Sequence, residues 1–316
     1  MKLAIIDIGT NTFKLMIVKP GENGTIDIID SKKIAVKLGE GGINSHLITE
    51  DAFQRGIQAL INLRSQINLH DVEQILAFAT SAVRSAENGP EFIRTAEQEA
   101  GMEISVISGD KEAELIYYGV RKAIGIGSEK ALIMDIGGGS LEFIIADSEK
   151  IWWKHSFDLG VARLLDEIKP SDPITNDETA RLEEYLSEHL QQLWDAVILH
   201  PVTKLIGSSG SFDSLAEMIY YRFNTNENPL MSTHYQFDLE HCKEIFNLVI
   251  GSTTNERFTM KGLVAMRVEM MVVSVIMIRL VFGKLNLSEM HVSAYSLKEG
   301  ILFDHLNAPS ENNNLE

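Results

Sequence analysis

The sequence predicts an α/β protein of two similarly built halves, and three observations carry that expectation. A motif recurs: residues 5–17 (IIDIGTNTFKLMI) line up with residues 133–145 (IMDIGGGSLEFII). In both, an apolar strand ends in Asp-Ile-Gly, passes a small-residue turn closed by a hydroxyl, and returns as a second apolar strand, which is a hairpin signature. Between and after the copies, strand-like and helix-like segments alternate, as the crossover units of a layered fold do. The 316 residues are long for one domain and comfortable for two.

Taken in order, residues 52–67 place apolar side chains at helical spacing, 74–79 read as a strand, 90–100 as a helix, 103–107 as a strand and 111–123 as a helix. Gly125-Ile126-Gly127-Ser128 is the natural boundary before the second hairpin. The second half repeats the scheme with longer helices: 177–198, a strand at 204–207, and 211–221. Residues 224–229 read as a polar loop and 309–316 as a polar tail that frays. Met260, Met266, Met270, Met271 and Met277 fall at mixed spacing, which suits a buried helix packed by adaptable side chains better than a ligand box.

Composition narrows the function classes. Lys+Arg 28 against Asp+Glu 45 gives a net charge of −17, so the broad basic footprint of a nucleic-acid or acidic-membrane binder is not expected. A net charge reports on the whole surface, however, and a small cleft with Lys14, Arg84 and Lys111 can still hold a polyanion locally. A single cysteine, Cys242, excludes a disulfide framework and a multi-cysteine zinc site, and fits a reducing, cytoplasmic setting. Residues 1–7 are too short an apolar run for a signal peptide, and the apolar stretch 270–278 is too short for a membrane span.

The chemistry-bearing positions cluster in turns. Around Gly9, Thr10, Asn11 and Thr12, and again around Gly137, Gly138, Gly139 and Ser140, small residues let backbone N–H groups surround phosphate oxygens. Asp7 and Asp135, each at the end of its strand, are placed to hold a divalent metal or its water against those phosphates. The plainer account of either turn is a tight hairpin whose Asp accepts turn N–H bonds, and for a single copy it is about as good. Two matched copies favour a phosphate clamp. A third cluster, Gly207-Ser208-Ser209-Gly210-Ser211, precedes a helix and is either an anion site or a simple N-cap. Arg84 closes Thr80-Ser81-Ala82-Val83-Arg84 and can offer a bidentate phosphate contact, or be only a solvated charge. In residues 108–114 (SGDKEAE) the carboxylates suit helix capping by Asp110 or Glu114, whereas Glu112, if turned into a cleft, can orient an attacking water. The P-loop, dinucleotide, H-E-x-x-H and G-x-S-x-G signatures are absent from the sequence.

These segments together resemble the exopolyphosphatase/guanosine pentaphosphate phosphohydrolase family, a branch of the actin-like, sugar-kinase and chaperone-ATPase superfold. Residues 7–15 are similar to its first phosphate motif, D-I-G-S-N-S-x-R-L. Residues 80–84 are similar to T-S-A-x-R, 108–113 to S-G-x-E-E-A, and 135–142 to D-I-G-G-G-S-T-E; 266–270 and 297–300 resemble weaker C-terminal signatures. The resemblance spans nearly the whole chain. It implies two actin-like (ribonuclease H-like) domains, 1–124 and 125–316, with the active site in the cleft between them. It also implies Mg²⁺-dependent release of terminal phosphate from inorganic polyphosphate or guanosine pentaphosphate. Carried onto this sequence, the catalytic glutamate falls on Glu112 and the acidic positions around metal and water on Asp135 and Glu142. The family often forms homodimers. Lys14 stands for an arginine, Lys111 for the first glutamate of the pair, and Glu269 for an aspartate; both lysines lack bidentate geometry. The 316 residues hold no counterpart of the C-terminal extension of larger members, so a processive grip on long polymers is not expected, and the −17 charge points to a local, metal-dependent grip on the chain end. The runners-up are an actin-superfold small-molecule kinase and a non-catalytic guanosine tetra- or pentaphosphate sensor.

Overall fold

Two mixed sheets organise the chain in the computed structural model, which describes residues 1–21, 26–225 and 228–307. The first contains β1 (Leu3–Ile8), β2 (Thr12–Pro20), β3 (Ile26–Ala35), β4 (Gln74–Ala79) and β5 (Ile104–Val106), in the order β3-β2-β1-β4-β5. Strands β1, β2 and β3 pair antiparallel, while β4 and β5 continue parallel to β1. The second sheet contains β6 (Ala131–Ile136), β7 (Leu141–Ala146), β8 (Ile151–Phe157), β9 (Lys204–Ser208), β10 (His234–Gln236) and β11 (Glu289–Ser293), in the order β10-β11-β9-β6-β7-β8. Read from its other edge, β8-β7-β6-β9-β11 repeats the order and directions of the first sheet. Strand β10 is an antiparallel addition. The fold is a duplicated α/β architecture, as the repeated hairpin motif implies, and it is actin-like, as the family resemblance implies.

Helices cover both sheets. In the first half these are α1 (Glu50–Ile67), α2 (Ser81–Ser85), α3 (Gly89–Ala100) and α4 (Gly109–Ala123). In the second they are α5 (Val161–Ile168), α6 (Asn176–His189), α7 (Gln191–Leu199), α8 (Gly210–Phe223), α9 (Leu239–Ile250), α10 (Thr254–Thr259), α11 (Met271–Lys284) and α12 (Leu297–Asn307). The single helix expected over 177–198 is two, α6 and α7. Leu190 leaves helical geometry between them, so that Leu182, Leu186, Leu190 and Leu193 all reach one core. Of Met260, Met266, Met270, Met271 and Met277, only Met271 and Met277 lie in α11, which is buried from Met271 to Ile278; Met260 ends α10, and Met266 and Met270 precede α11 and line the cleft. The polar tail 309–316 and part of the loop 224–229 lie outside the described residues. Among the described residues no helix is long and apolar enough to cross a membrane.

Strand alternation decides what faces the space between the sheets. In β1, Ala4, Ile6 and Ile8 enter the first half's own core, whereas Leu3 and Ile5 enter a central core shared by both halves. In β6, Leu132, Met134 and Ile136 enter the second half's core, and Ala131 and Ile133 the shared one. By the period of two, Asp7 and Asp135 follow the shared-core residues and point between the sheets. That layer is filled by α4 and, returning from the far end of the sequence, α12. The two helices meet at glycines, because a Cβ at Gly119 would strike the Ser296 carbonyl and one at Gly300 the Leu115 carbonyl. Gly300→Ala is therefore expected to cost about 1–3 kcal/mol by overpacking and to lower the thermal unfolding midpoint. An unchanged midpoint would show that α12 packs loosely.

Candidate active site in the interdomain cleft

The two Asp-Ile-Gly turns share one local geometry. Gly9 N–H donates to the Thr12 carbonyl at 3.2 Å, and Gly137 N–H to the Ser140 carbonyl at 3.0 Å. Each turn glycine is required, because a Cβ would lie 2.9 Å from the Thr12 oxygen or 2.8 Å from the Ser140 oxygen. The turn carbonyls are held from behind. Thr10 O accepts from Gly39 N–H, and Asn11 O from the N–H groups of Val36 and Lys37. In the second turn, Gly137 O accepts from Val161 N–H at 3.1 Å and Gly138 O from Ala162 N–H at 2.8 Å, while Gly139 O accepts from Arg163 Nε at 2.8 Å. In a planar trans peptide the N–H points opposite to the C=O. Backing the carbonyls therefore aims the next N–H groups, at Asn11, Gly138, Gly139 and Ser140, away from those donors and toward the cleft these residues line.

The two turns meet face to face. A Cβ at Gly138 would strike the Asn11 amide, and one at Gly139 would come 2.5 Å from Thr10 Oγ1 and 2.6 Å from Ser81 Oγ. Asn11 Nδ2 also lies 2.9 Å from Met270 Sδ. The cleft is lined by Asp7, Gly9, Thr10, Asn11, Thr12, Lys14, Thr80, Ser81, Glu112, Asp135, residues 137–140, Ser209, Gly210, Met266, Arg267 and Met270, among others. Most of the positions singled out from sequence are thus brought together.

Several are placed differently. Gly207 lies within β9, where a Cβ would strike the Phe212 ring, and Ser208 is fully buried beside Asp135, its partner in the parallel ladder. Ser209 does face the cleft, and its φ of 74° with ψ of −179° is a conformation that side-chain-bearing residues rarely adopt. Helix α8 receives no side-chain cap; the Ser211 hydroxyl pairs with Ser274 at 2.9 Å instead. Ser108, rather than Asp110 or Glu114, caps α4 by accepting from Lys111 N–H at 3.1 Å. Lys111 points away from the cleft, to Glu114 and Asp304 at 3.1 Å each. Glu269 forms a surface pair with Lys37 at 3.3 Å.

Arg84 commits one of its guanidinium nitrogens to protein partners. Its Nη1 donates to Glu112 Oε2 at 2.9 Å and to the Ile107 carbonyl at 2.9 Å. The helix start thereby presents Glu112 on a fixed partner, 7% exposed. Burial raises the Glu112 pKa to about 7 against the pull of Arg84, and repulsion from Asp7 and Asp135 adds to the rise. Glu142 is pushed well above the usual range by burial and then by Glu112 and Asp135, opposed by the hydroxyls of Ser156 and Ser140. Ser156 donates to Glu142 Oε1 at 2.7 Å from the neighbouring strand. Burial also raises Asp135, opposed by Lys14, Ser208 and Ser209. Lys14 donates to Asp7 at 2.9 Å; burial works against its ammonium, but Asp7 and Asp135 outweigh it and hold its pKa above the ordinary value.

Burial, with repulsion from neighbouring carboxylates, raises Glu112, Asp135 and Glu142, which is the electrostatics of a site able to accept a cation. Among the described residues no three His, Cys, Asp or Glu side chains form an all-protein metal cage. Asp7 and Asp135 line the cleft whereas Glu142, 1% exposed, lies behind that lining; one or two carboxylates with water and substrate phosphates is the donor set Mg²⁺ usually takes. Arg267, which the sequence marks only as part of the weak signature at 266–270, also lines the cleft. It lies over the start of α8, where it would collide with any Cβ at Gly210, and donates to Ser214 Oγ at 3.1 Å.

Comparison with known proteins points the same way. The Ppx/GppA phosphatase family matches residues 16–308. The chain is 26% identical over 315 residues to Exopolyphosphatase 1 of Mycobacterium tuberculosis, covering 98% of this chain and 90% of that protein. The solved structure of an exopolyphosphatase from Cytophaga hutchinsonii superposes with a TM-score of 0.94 at 37% identity, over 97% of this chain and 98% of that one. A Ppx/GppA family member from Aquifex aeolicus has the same fold, with a TM-score of 0.80 at 24% identity over 97% of each chain.

Proposed function

The chain belongs to the Ppx/GppA phosphatase family, and from that premise we propose that its cleft releases the terminal phosphate of inorganic polyphosphate or guanosine pentaphosphate by water attack. One observation carries the reading: two facing amide-lined turns share a cleft with a buried glutamate whose pKa stands near 7. The N–H groups of Asn11, Gly138, Gly139 and Ser140 bind the non-bridging oxygens of the terminal phosphate. Lys14 adds positive charge on one side. Glu112, ionised and held on Arg84, accepts a proton from water and orients that water in line with the phosphorus–oxygen bond to the rest of the chain. That bond breaks, and the shortened chain leaves with its electrons while Glu112 keeps the proton until solvent removes it. This asks the protein for positioning and electrostatics, the main levers in phosphoryl transfer. Mg²⁺, held by Asp135 and Glu142 with Asp7 nearby, would neutralise charge on the phosphate oxygens.

The −17 charge favours a grip confined to the chain end, in a cytoplasmic protein that binds neither nucleic acid nor membrane. The test is phosphate release, with and without Mg²⁺, from short polyphosphate, long polyphosphate and guanosine pentaphosphate side by side. Release from at least one, dependent on Mg²⁺, is expected, with affinity that does not climb steadily with polymer length. Tight binding of guanosine pentaphosphate without release from any of the three would identify a sensor. ATP consumption with a small-molecule acceptor would identify a kinase.

A further inference from the structure

Helix α5 begins directly behind the second turn and backs all three of its glycine carbonyls. Two are met by main-chain N–H groups. The third, Gly139 O, is met by a side chain, Arg163 Nε at 2.8 Å. The same guanidinium reaches across to the first half, donating Nη1 to the Ile43 carbonyl at 2.8 Å and Nη2 to Ser85 Oγ at 2.9 Å. Arg163 is 7% exposed, and its ion-pair partner Asp158, at 3.6 Å, is mostly in water and so screened. Placing a guanidinium on neutral acceptors in a buried spot is costly. Residues 43–44 meet α5 a second time, through Asn44 Nδ2, which donates to Arg163 O and to Asp166 Oδ2 at 3.1 Å each.

We propose that Arg163 is a positioning residue that makes the aim of the second phosphate turn depend on the two halves being together. The proposal rests on reading the cleft as a phosphoanhydride-hydrolysing site. The peptide between Gly139 and Ser140 is planar, so holding Gly139 O on Arg163 turns Ser140 N–H to the cleft side. When the halves are together, Ile43, Ser85 and Gly139 fix the guanidinium at all three of its nitrogens. When they part, the acceptors in the first half leave, and the guanidinium keeps Gly139 O and the solvent-screened Asp158. The turn then loses the rigid backing that transition-state stabilisation requires. Closure of the cleft and completion of the phosphate site become one event. Arg163 touches no substrate in this scheme; it acts through the turn.

The experiment uses the full chain with Arg163→Met, Arg163→Lys and Ser85→Ala, each with two readouts. For short polyphosphate with Mg²⁺, Arg163→Met is expected to lower kcat roughly a hundredfold with far less change in KM, the scale of a small misplacement of a preorganised group. Arg163→Lys recovers part of that loss, since an ammonium cannot span all three acceptors. Ser85→Ala, which removes one first-half anchor, lowers kcat by a smaller factor. In the second readout, amide hydrogen exchange, Arg163→Met speeds exchange across residues 137–140 in protein that remains folded. Unchanged kcat, or activity lost only in proportion to the unfolded fraction with turn exchange unaltered, overturns the proposal. If Arg163→Met does not fold, Arg163→Lys and Ser85→Ala decide on the same criteria. Failure of the wild-type protein to release phosphate would instead refute the functional reading, and the exchange comparison would still test the role of Arg163.

Discussion

Glu112→Gln is expected to cut phosphate release by roughly 10²–10⁴-fold, the usual contribution of a positioned general base. The amide keeps the size of the side chain and can still meet Arg84 through its carbonyl oxygen, so the helix start is not undone. It cannot accept the proton of an attacking water. The same substitution has an opposite expected effect on stability. The Glu112 pKa rises from 4.5 to about 7 on folding, so the native state disfavours its ionisation. The group's favourable contribution is complete below about 4.5 and is lost as pH rises toward about 7. The variant should therefore unfold at a higher temperature than wild type at pH 8, with the advantage shrinking as pH falls below 7. An inactive variant with no gain at pH 8 would mean that burial does not hold the Glu112 carboxyl above its ordinary range. An active one would remove it from the mechanism.

The second large effect is expected from Arg84→Met. Arg84 lowers the Glu112 pKa by charge and by a hydrogen bond. Removing it leaves a buried carboxyl with its main opposing influence gone, and its pKa moves further up. A base must be ionised to work, so the acid limb of the kcat/KM profile, near 7 in wild type, should shift to higher pH. Activity at pH 7 should fall by roughly ten- to a hundredfold, and part should return at pH 9. Glu112 and Glu142 sit close enough to influence each other, so the limb reports the pair. A uniform loss at every pH would instead indicate that Arg84 binds the phosphate itself, as its sequence position first suggested.

Much of this was legible in sequence because it lay in short, chemically peculiar runs. The paired Asp-Ile-Gly turns announced the duplication and the two facing glycine turns of the cleft, and strand alternation from Leu3 and Ala131 carried Asp7 and Asp135 to the shared face. The segment at 108–113 singled out Glu112, which the structure turns into the cleft. What stayed hidden depends on long-range backbone partners. No local pattern shows that residues 36–39 and α5 hold the turn carbonyls, although Gly160 leaves a trace in hindsight, since a Cβ there would collide with Gly138. The arginine at position 84 reads the same whether it meets a phosphate or a carboxylate 28 positions later. Strand β3 escaped because it is an edge, with most side chains in water and no apolar alternation to mark it. Helix α12 escaped because its partner α4 lies in the other half of the sequence.

The proposed function puts the terminal phosphate between the two turns, with Glu112 beside it. The structure of the Glu112→Gln protein with tripolyphosphate and Mg²⁺ tests this most directly. The expected result is a terminal phosphate within hydrogen-bonding distance of the N–H groups of Asn11, Gly138 and Gly139, with the side chain at 112 facing the phosphorus opposite the bridging oxygen. Tripolyphosphate bound elsewhere, with the two turns still in contact and nothing between them, would contradict it.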